Sequence, residues 1–379
     1  MKRLVFLITF ILFLTFLPIL AYANEADDKI YISIEDELSS FNDALPEYVK
    51  DFFPNEIFSG NFSSLTNGSI GEKSFLELAS TYLVSGLNVV IKSFASILVL
   101  IIIISILHSL SSSFSNSSLQ LVFSICSTLC ISIAVFSICG IIVTNATEYM
   151  KILCSIMSAF TPLMLALLTM SGNISTAIIS NGSMLLFINI IEGFLIAFMM
   201  PLTKMCLAFG CSKSINSDID LSGISKTIKT TFTSVTVFVM SILMFVLSYK
   251  NVLSQGADTL SLKTARFAIS SFVPLVGSSV NEALRTVTSS LSLIKNSCGV
   301  IALITIAVLM LPIIINIFLN KISFSILATM SRAIGGGKEA SILEEADSVC
   351  GFVLTLVCCT CVLFIFALTI FLKTSVGGA

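Results

Sequence analysis

GVIALITIAVLMLPIIINIFL (residues 299–319) carries no charged side chain from end to end. About twenty apolar residues in a helix cross the hydrocarbon core of a bilayer, so this run predicts a membrane span with Pro312 inside it. Immediately before it lies a stretch of different character, GADTLSLKTARFAISSFVPLVGSSVNEALRTVTSSLSLIKNSCG (256–299). It is too polar to dissolve in lipid and too apolar for a simple loop. Backbone at membrane depth that is not a lipid-facing helix survives only when buried in protein or lining a cavity. Residues 256–299 therefore read as an amphipathic or re-entrant segment and as the place where function resides.

Outward from there, further apolar runs of spanning length occupy 89–110, 119–143, 152–170, 184–209, 231–249 and 351–372. Of the seven, six are clear spans. The run 152–170 contains Pro162 and reads either as a span or as a re-entrant hairpin. The chain has 379 residues, of which 56% are hydrophobic and 11% charged, against about 25% charged in a soluble domain. The expected fold class is an all-α polytopic membrane protein with about six to seven transmembrane helices, some broken by proline or re-entrant.

The N-terminus has a basic start (Lys2, Arg3), an apolar run over 4–20 and Ala21-Tyr22-Ala23. These are the parts of a secretory signal peptide, with cleavage expected after Ala23. Residues 24–87 are acidic, net −9, whereas 88–379 are basic, net +5. An exported acidic amphipathic segment (24–87) ahead of a basic membrane body fits the bias of Lys and Arg toward the cytoplasm. The expected organisation is then two transmembrane helices in 88–145 followed by two membrane repeats, 146–250 and 251–379. The repeats rest on spacing. Lys151 stands eleven residues before Pro162 and Lys263 eleven before Pro274, and a second proline follows in each half, Pro201 and Pro312. Transporters built from such repeats place their sites at the repeat interface beside broken helices.

Orientation depends on residues 152–170. The loops 201–229 and 320–348 hold Lys204, Lys213, Lys226, Lys229, Lys321, Arg332 and Lys338. With an exported N-terminus both become cytoplasmic if 152–170 turns back, and both invert if it spans.

Glu192 lies in INIIEGFLIAF without a basic residue within a helical turn. An intramembrane carboxylate is expensive and marks a conducting, coupling or interface residue, although a structural hydrogen bond would also account for it. Glu282 and Arg285, three apart, can pair on one helix face. Val276, Val280, Leu284, Val287, Leu291 and Ile294 form a stripe on the other side, which suits packing against other subunits. Pro162, Lys263, Arg266, Pro274, Gly277, Asn281, Glu282 and Arg285 join Glu192 as candidate conduit or interface positions. His108 ends the first span, where a snorkelling role is expected.

All eleven cysteines lie in or beside apolar runs and none in the exported segment, so no disulfide framework is indicated. Gly335-Gly336-Gly337-Lys338 fails as a phosphate loop, because Arg332 stands where the first glycine belongs and Glu339 follows the lysine. It reads as a flexible loop. No Ser/His/Asp, Cys/His or paired-carboxylate constellation is present, so neither an enzyme nor a cofactor or metal site is expected.

The wording of 261–300, with KTARFAISSFVPLVG followed by LIKN and a glycine, resembles the stage III sporulation protein AE family. The order of parts is similar too: a signal peptide, an acidic segment with ALPEYVKDFFP, then a polytopic body. The resemblance implies an integral membrane subunit of the channel complex that joins mother cell and forespore and supports forespore development. It implies a multi-pass position in the mother-cell membrane facing the forespore. It also implies, as partners, other stage III sporulation channel proteins of the same operon, besides membrane lipid. A homo-oligomer is a further option, nucleic acid is not expected, and no catalytic residues come with the family. The alternative from the residues alone is a self-sufficient secondary transporter, suggested by the repeat and Glu192.

Overall fold

The computed structural model describes residues 45–46, 72–111, 117–170, 173–215, 222–272 and 277–373, with side chains described only in part over 72–79, 111–121, 213–222 and 250–295. The signal peptide and nearly all of the acidic segment thus lie outside the described residues. Within them there is no strand, and seven helices follow one another: α1 (Glu72–Ser111), α2 (Ser117–Met170), α3 (Ile174–Ile190), α4 (Ala197–Ile215), α5 (Ser222–Phe272), α6 (Gly277–Ala333) and α7 (Gly337–Lys373). A single π-helical turn, Ile191–Ile196, joins α3 to α4 without a break.

Among the described residues six stretches are long and apolar enough to cross a membrane: Ser80–Leu110, Val122–Met170, Ile174–Ser212, Gly223–Tyr249, Asn296–Ala333 and Gly337–Leu372. The protein is therefore a polytopic all-α membrane protein. The seven apolar runs become six helices because 119–143 and 152–170 are halves of one 54-residue helix, α2. Residues 152–170 are neither a separate span nor a re-entrant hairpin. The polar stretch between them stays helical because its hydroxyls fold back on the ladder. Thr144 Oγ1 donates to the Gly140 carbonyl (2.9 Å) and Thr147 Oγ1 to that of Val143 (2.7 Å). Pro162 sits inside α2 with its ring exposed, and Thr161 Oγ1 donates to the Met157 carbonyl (2.8 Å) in the turn before it. The carbonyl that Pro162 leaves without its ladder N–H is that of Ser158, four residues back, and the helix continues through the proline to Met170. At 1.5 Å per residue, α2 is about 81 Å long and α6, with 57 residues, about 86 Å. Both exceed the ~30 Å hydrocarbon core, so they continue beyond it. α2 also runs through position 145, joining the first pair of apolar runs to the first half of the proposed repeat.

α7 is the packing centre, touching α2, α4, α5 and α6. The apolar windows of α6 and α7 are 67% and 61% buried, against 17% for that of α5. Lipid tails are as apolar as leucine, so association relies on close fit and small residues rather than on expulsion of water. Gly299 of α6 lies so close under Leu372 of α7 that a Cβ there would collide with the leucine side chain, and Gly210 of α4 stands in the same relation to Glu345. Phe371 meets Phe160 edge-on at 5.9 Å, and Phe232 bridges Phe194 (5.1 Å) and Phe352 (6.0 Å).

Gly335–Gly337 is a helix stop, not a flexible loop. Gly335 has φ +90°, Gly336 N–H donates to the Ser331 carbonyl (2.9 Å) and Gly335 N–H to that of Arg332 (3.1 Å). This is the Schellman arrangement, whose left-handed residue favours glycine. Ser331 Oγ returns a bond to the Gly336 carbonyl (2.9 Å). α7 then starts at once, at Gly337.

Cross-helix bonds gather the helix ends. Ser105 of α1 donates to the Ile334 carbonyl (3.3 Å), Ser127 of α2 to Glu339 (3.2 Å), and Lys338 to Ser124 (3.1 Å). Lys229, near the start of α5, reaches Glu345 near the start of α7. The α1–α2, α4–α5 and α6–α7 connections consequently share one end of the bundle. The lysine-rich stretches 201–229 and 320–348, expected as loops, are instead largely helical, to Ile215, from Ser222, to Ala333 and from Gly337. They lie at this end, and α5 runs from there toward the opposite one.

Candidate functional surfaces

Two groups of polar side chains stand out within the apolar helices. The first is internal. Lys229 Nζ of α5 lies 2.5 Å from Glu345 Oε1 of α7 and donates also to Ser348 Oγ (2.8 Å), while Ser225 Oγ donates to the same Glu345 oxygen (2.6 Å). The two charged side chains are 9% and 13% exposed. Gly210 of α4 lets the carboxylate lie against the helix backbone. Two residues further along α7, Asp347 pairs with Lys321 of α6 (2.7 Å), which donates also to the Asp347 backbone carbonyl (3.1 Å). The more exposed Arg332 pairs with Glu344 (2.6 Å). Every acid of α7 between 344 and 347 is thus matched by a base from α5 or α6. The arrangement fixes how the three helices meet. A cleft of about 370 Å³ opens nearby, lined among others by Ser105, His108, Ser124, Lys338 and Glu339. Its charged residues are bonded to serines of α2.

The second group faces outward. Glu192 lies in the π turn between α3 and α4 and is exposed, as are Asn189, Gly193 and Ala197. Its carboxylate has Cys154 of α2 as an electrostatic neighbour but makes no hydrogen bond or ion pair among the described residues. The wide turn comes shortly before Pro201, which lies inside α4 and has no N–H to give the ladder. The Ala197 N–H instead reaches the Glu192 carbonyl, five residues back. Single π turns of this kind are frequent at functional sites.

The other candidate positions scatter. Pro162 is an exposed residue of α2. Lys263 and Arg266 belong to the C-terminal part of α5; Gly277, Asn281, Glu282 and Arg285 belong to the first turns of α6. Side chains over 261–295 lie outside the described residues, as does Pro274 entirely. The 256–299 segment is helical over 256–272 and 277–299. Sequence reasoning missed the Lys229–Glu345 pair, having taken Lys229 only as a loop charge. The available signal was that both residues stand inside their helices, seven and eight positions from the start.

Among the described residues no group of three or more His, Cys, Asp or Glu side chains gathers as metal ligands would. The profile of the family described as stage III sporulation protein AE matches residues 60–375, most of the chain. The chain belongs to the stage III sporulation protein AE family. A relative of that name from Bacillus subtilis (strain 168) is 24% identical over 355 residues, covering 92% of this chain and 88% of its own. No solved structure matches. The matched region runs from ahead of α1 to beyond α7, so family membership includes all six apolar helices.

Proposed function

We propose that the chain is a membrane subunit of the sporulation channel complex linking mother cell and forespore, and is needed for forespore development. The observation that carries this reading is the family match across 60–375. The subunit sits in the mother-cell membrane facing the forespore, with its acidic N-terminal segment exported after signal cleavage. Its shared loop end, rich in lysine and arginine, faces the cytoplasm under the charge bias of membrane proteins. Six crossings then put the N-terminus and the 256–299 segment on the exported side, toward sibling proteins of the same operon.

The two-repeat organisation is part of the same proposal. Each half runs as a helical arm, a break, a long helix, a short connection and a closing helix, with α5 and α7 as the closing helices. The transporter reading loses its best support. A coupling carboxylate is expected inside the bundle at the repeat interface, and Glu192 faces out.

The test is genetic and biochemical in the native spore former. Val280→Asp or Val287→Asp, on α6, should block forespore development and abolish assembly with the sibling proteins while the chain still accumulates in the membrane. Glu192→Gln should leave development intact. If Glu192→Gln alone stops development with assembly preserved, and the valine variants sporulate normally, transport replaces the subunit reading.

A further inference from the structure

Glu192 is a carboxylate near the middle of the 39-residue apolar stretch Ile174–Ser212. It is exposed, with buried Cys154 of α2 in electrostatic range, and no side chain among the described residues bonds it. Lipid cannot satisfy it, because a charged group at membrane depth needs a partner or water. Among the described residues nothing supplies that partner, which leaves the position open to a group from a neighbouring molecule.

The exposed strip around it is self-complementary. Asn189, three residues earlier, has an amide that donates hydrogen bonds, and Glu192 accepts them. On the same strip Gly193 has open space where a Cβ would stand, and so does Gly182 about three turns earlier; Ala197 is exposed as well. Small residues four apart on an outward face allow two helix backbones to approach closely. No basic residue shares the strip until Lys204, so a parallel pair brings the two Glu192 carboxylates to one depth, and the Asn189 amides are the donors placed to hold them.

We infer that this strip is an interface between two copies of the chain. The copies run parallel about an axis along the membrane normal, with Asn189 of each donating to Glu192 of the other. Both strips are then at one depth, and each carboxylate gains an amide donor about one turn away. The π turn serves the contact by setting Glu192 and Gly193 side by side on one face. This inference rests on the span geometry alone and holds or fails independently of the role in sporulation.

The experiment measures the mass of the purified full-length protein in nanodiscs by light scattering. Wild type and Glu192→Gln, which keeps an acceptor, should both run as two or more copies. Gly193→Leu should be monomeric, as should Asn189→Ala/Glu192→Ala, with helicity unchanged. A benzophenone side chain at Ala197 in otherwise wild-type chain, irradiated in sporulating cells, covers the case in which a variant fails to fold. It should yield a covalent dimer of the chain. Monomeric wild type, or variants that remain associated, would overturn the inference. So would a benzophenone adduct confined to lipid or to a different protein.

Discussion

Lys229 of α5 and Glu345 of α7 form a buried ion pair, 2.5 Å from Nζ to Oε1, laid across Gly210 of α4. The pair ties α5 to α7 near the N-terminal ends of both helices. Its remaining bonds go to Ser225 and Ser348, so both charges are satisfied by protein.

Removing one member strands the other. Lys229→Met should lower unfolding stability by about 3 kcal/mol, because an unpaired buried charge is left behind. Lys229→Met/Glu345→Leu should recover most of the loss. A double-mutant cycle measured by chemical unfolding in detergent checks this; additive losses would mean the two residues do not act as a pair.

Gly210→Ala should be destabilising, since its Cβ would collide with Cγ, Cδ and Oε1 of Glu345, whose carboxylate is held in place by Lys229 and Ser225. Overpacking of this kind costs roughly 1–3 kcal/mol. Gly140, in α2, has nothing within 4 Å of the same position, so Gly140→Ala should be neutral or stabilising by up to about 1 kcal/mol. Melting temperatures of the two variants side by side distinguish a close approach from a general intolerance of alanine.

The fit of Gly299 under Leu372 makes a size exchange the informative test. Gly299→Ala should lose roughly 1–3 kcal/mol by overpacking, and Leu372→Ala about 2–5 kcal/mol by leaving a cavity. The double variant should be more stable than the sum of the two losses predicts. Strict additivity in thermal unfolding would show that the two residues do not share this space.

Thr305 of α6 is fully buried, and its hydroxyl finds no hydrogen-bond partner among the described residues. A stranded polar group costs about 1–3 kcal/mol, so Thr305→Val should hold or raise stability. A marked loss would reveal a partner for that hydroxyl.

Hydropathy made the six crossing helices legible because each must cover the same hydrocarbon thickness. It did not reveal that 119–143 and 152–170 form one helix. An apolar run reports what lipid accepts, whereas continuity across Thr144 and Thr147 depends on hydroxyls bonding their own backbone. Pro162 misled because a proline removes one ladder bond without ending a helix that packing holds on both sides of it. Glu192 was visible as an isolated acid, but which way it faces is set by the packing of α3 and α4. Lys229 and Glu345 are 116 residues apart, and only the fold makes them neighbours. The glycine run was rejected as a phosphate loop on spacing alone, while its role as a helix stop needed the φ of Gly335.

The most direct test of the subunit claim is to isolate the native chain from sporulating cells in mild detergent and identify what migrates with it. The account predicts a particle much larger than the chain itself, containing sibling stage III proteins and recovered from the mother-cell membrane around the forespore. A chain that migrates only with itself and lipid, while forespores develop normally, would contradict it.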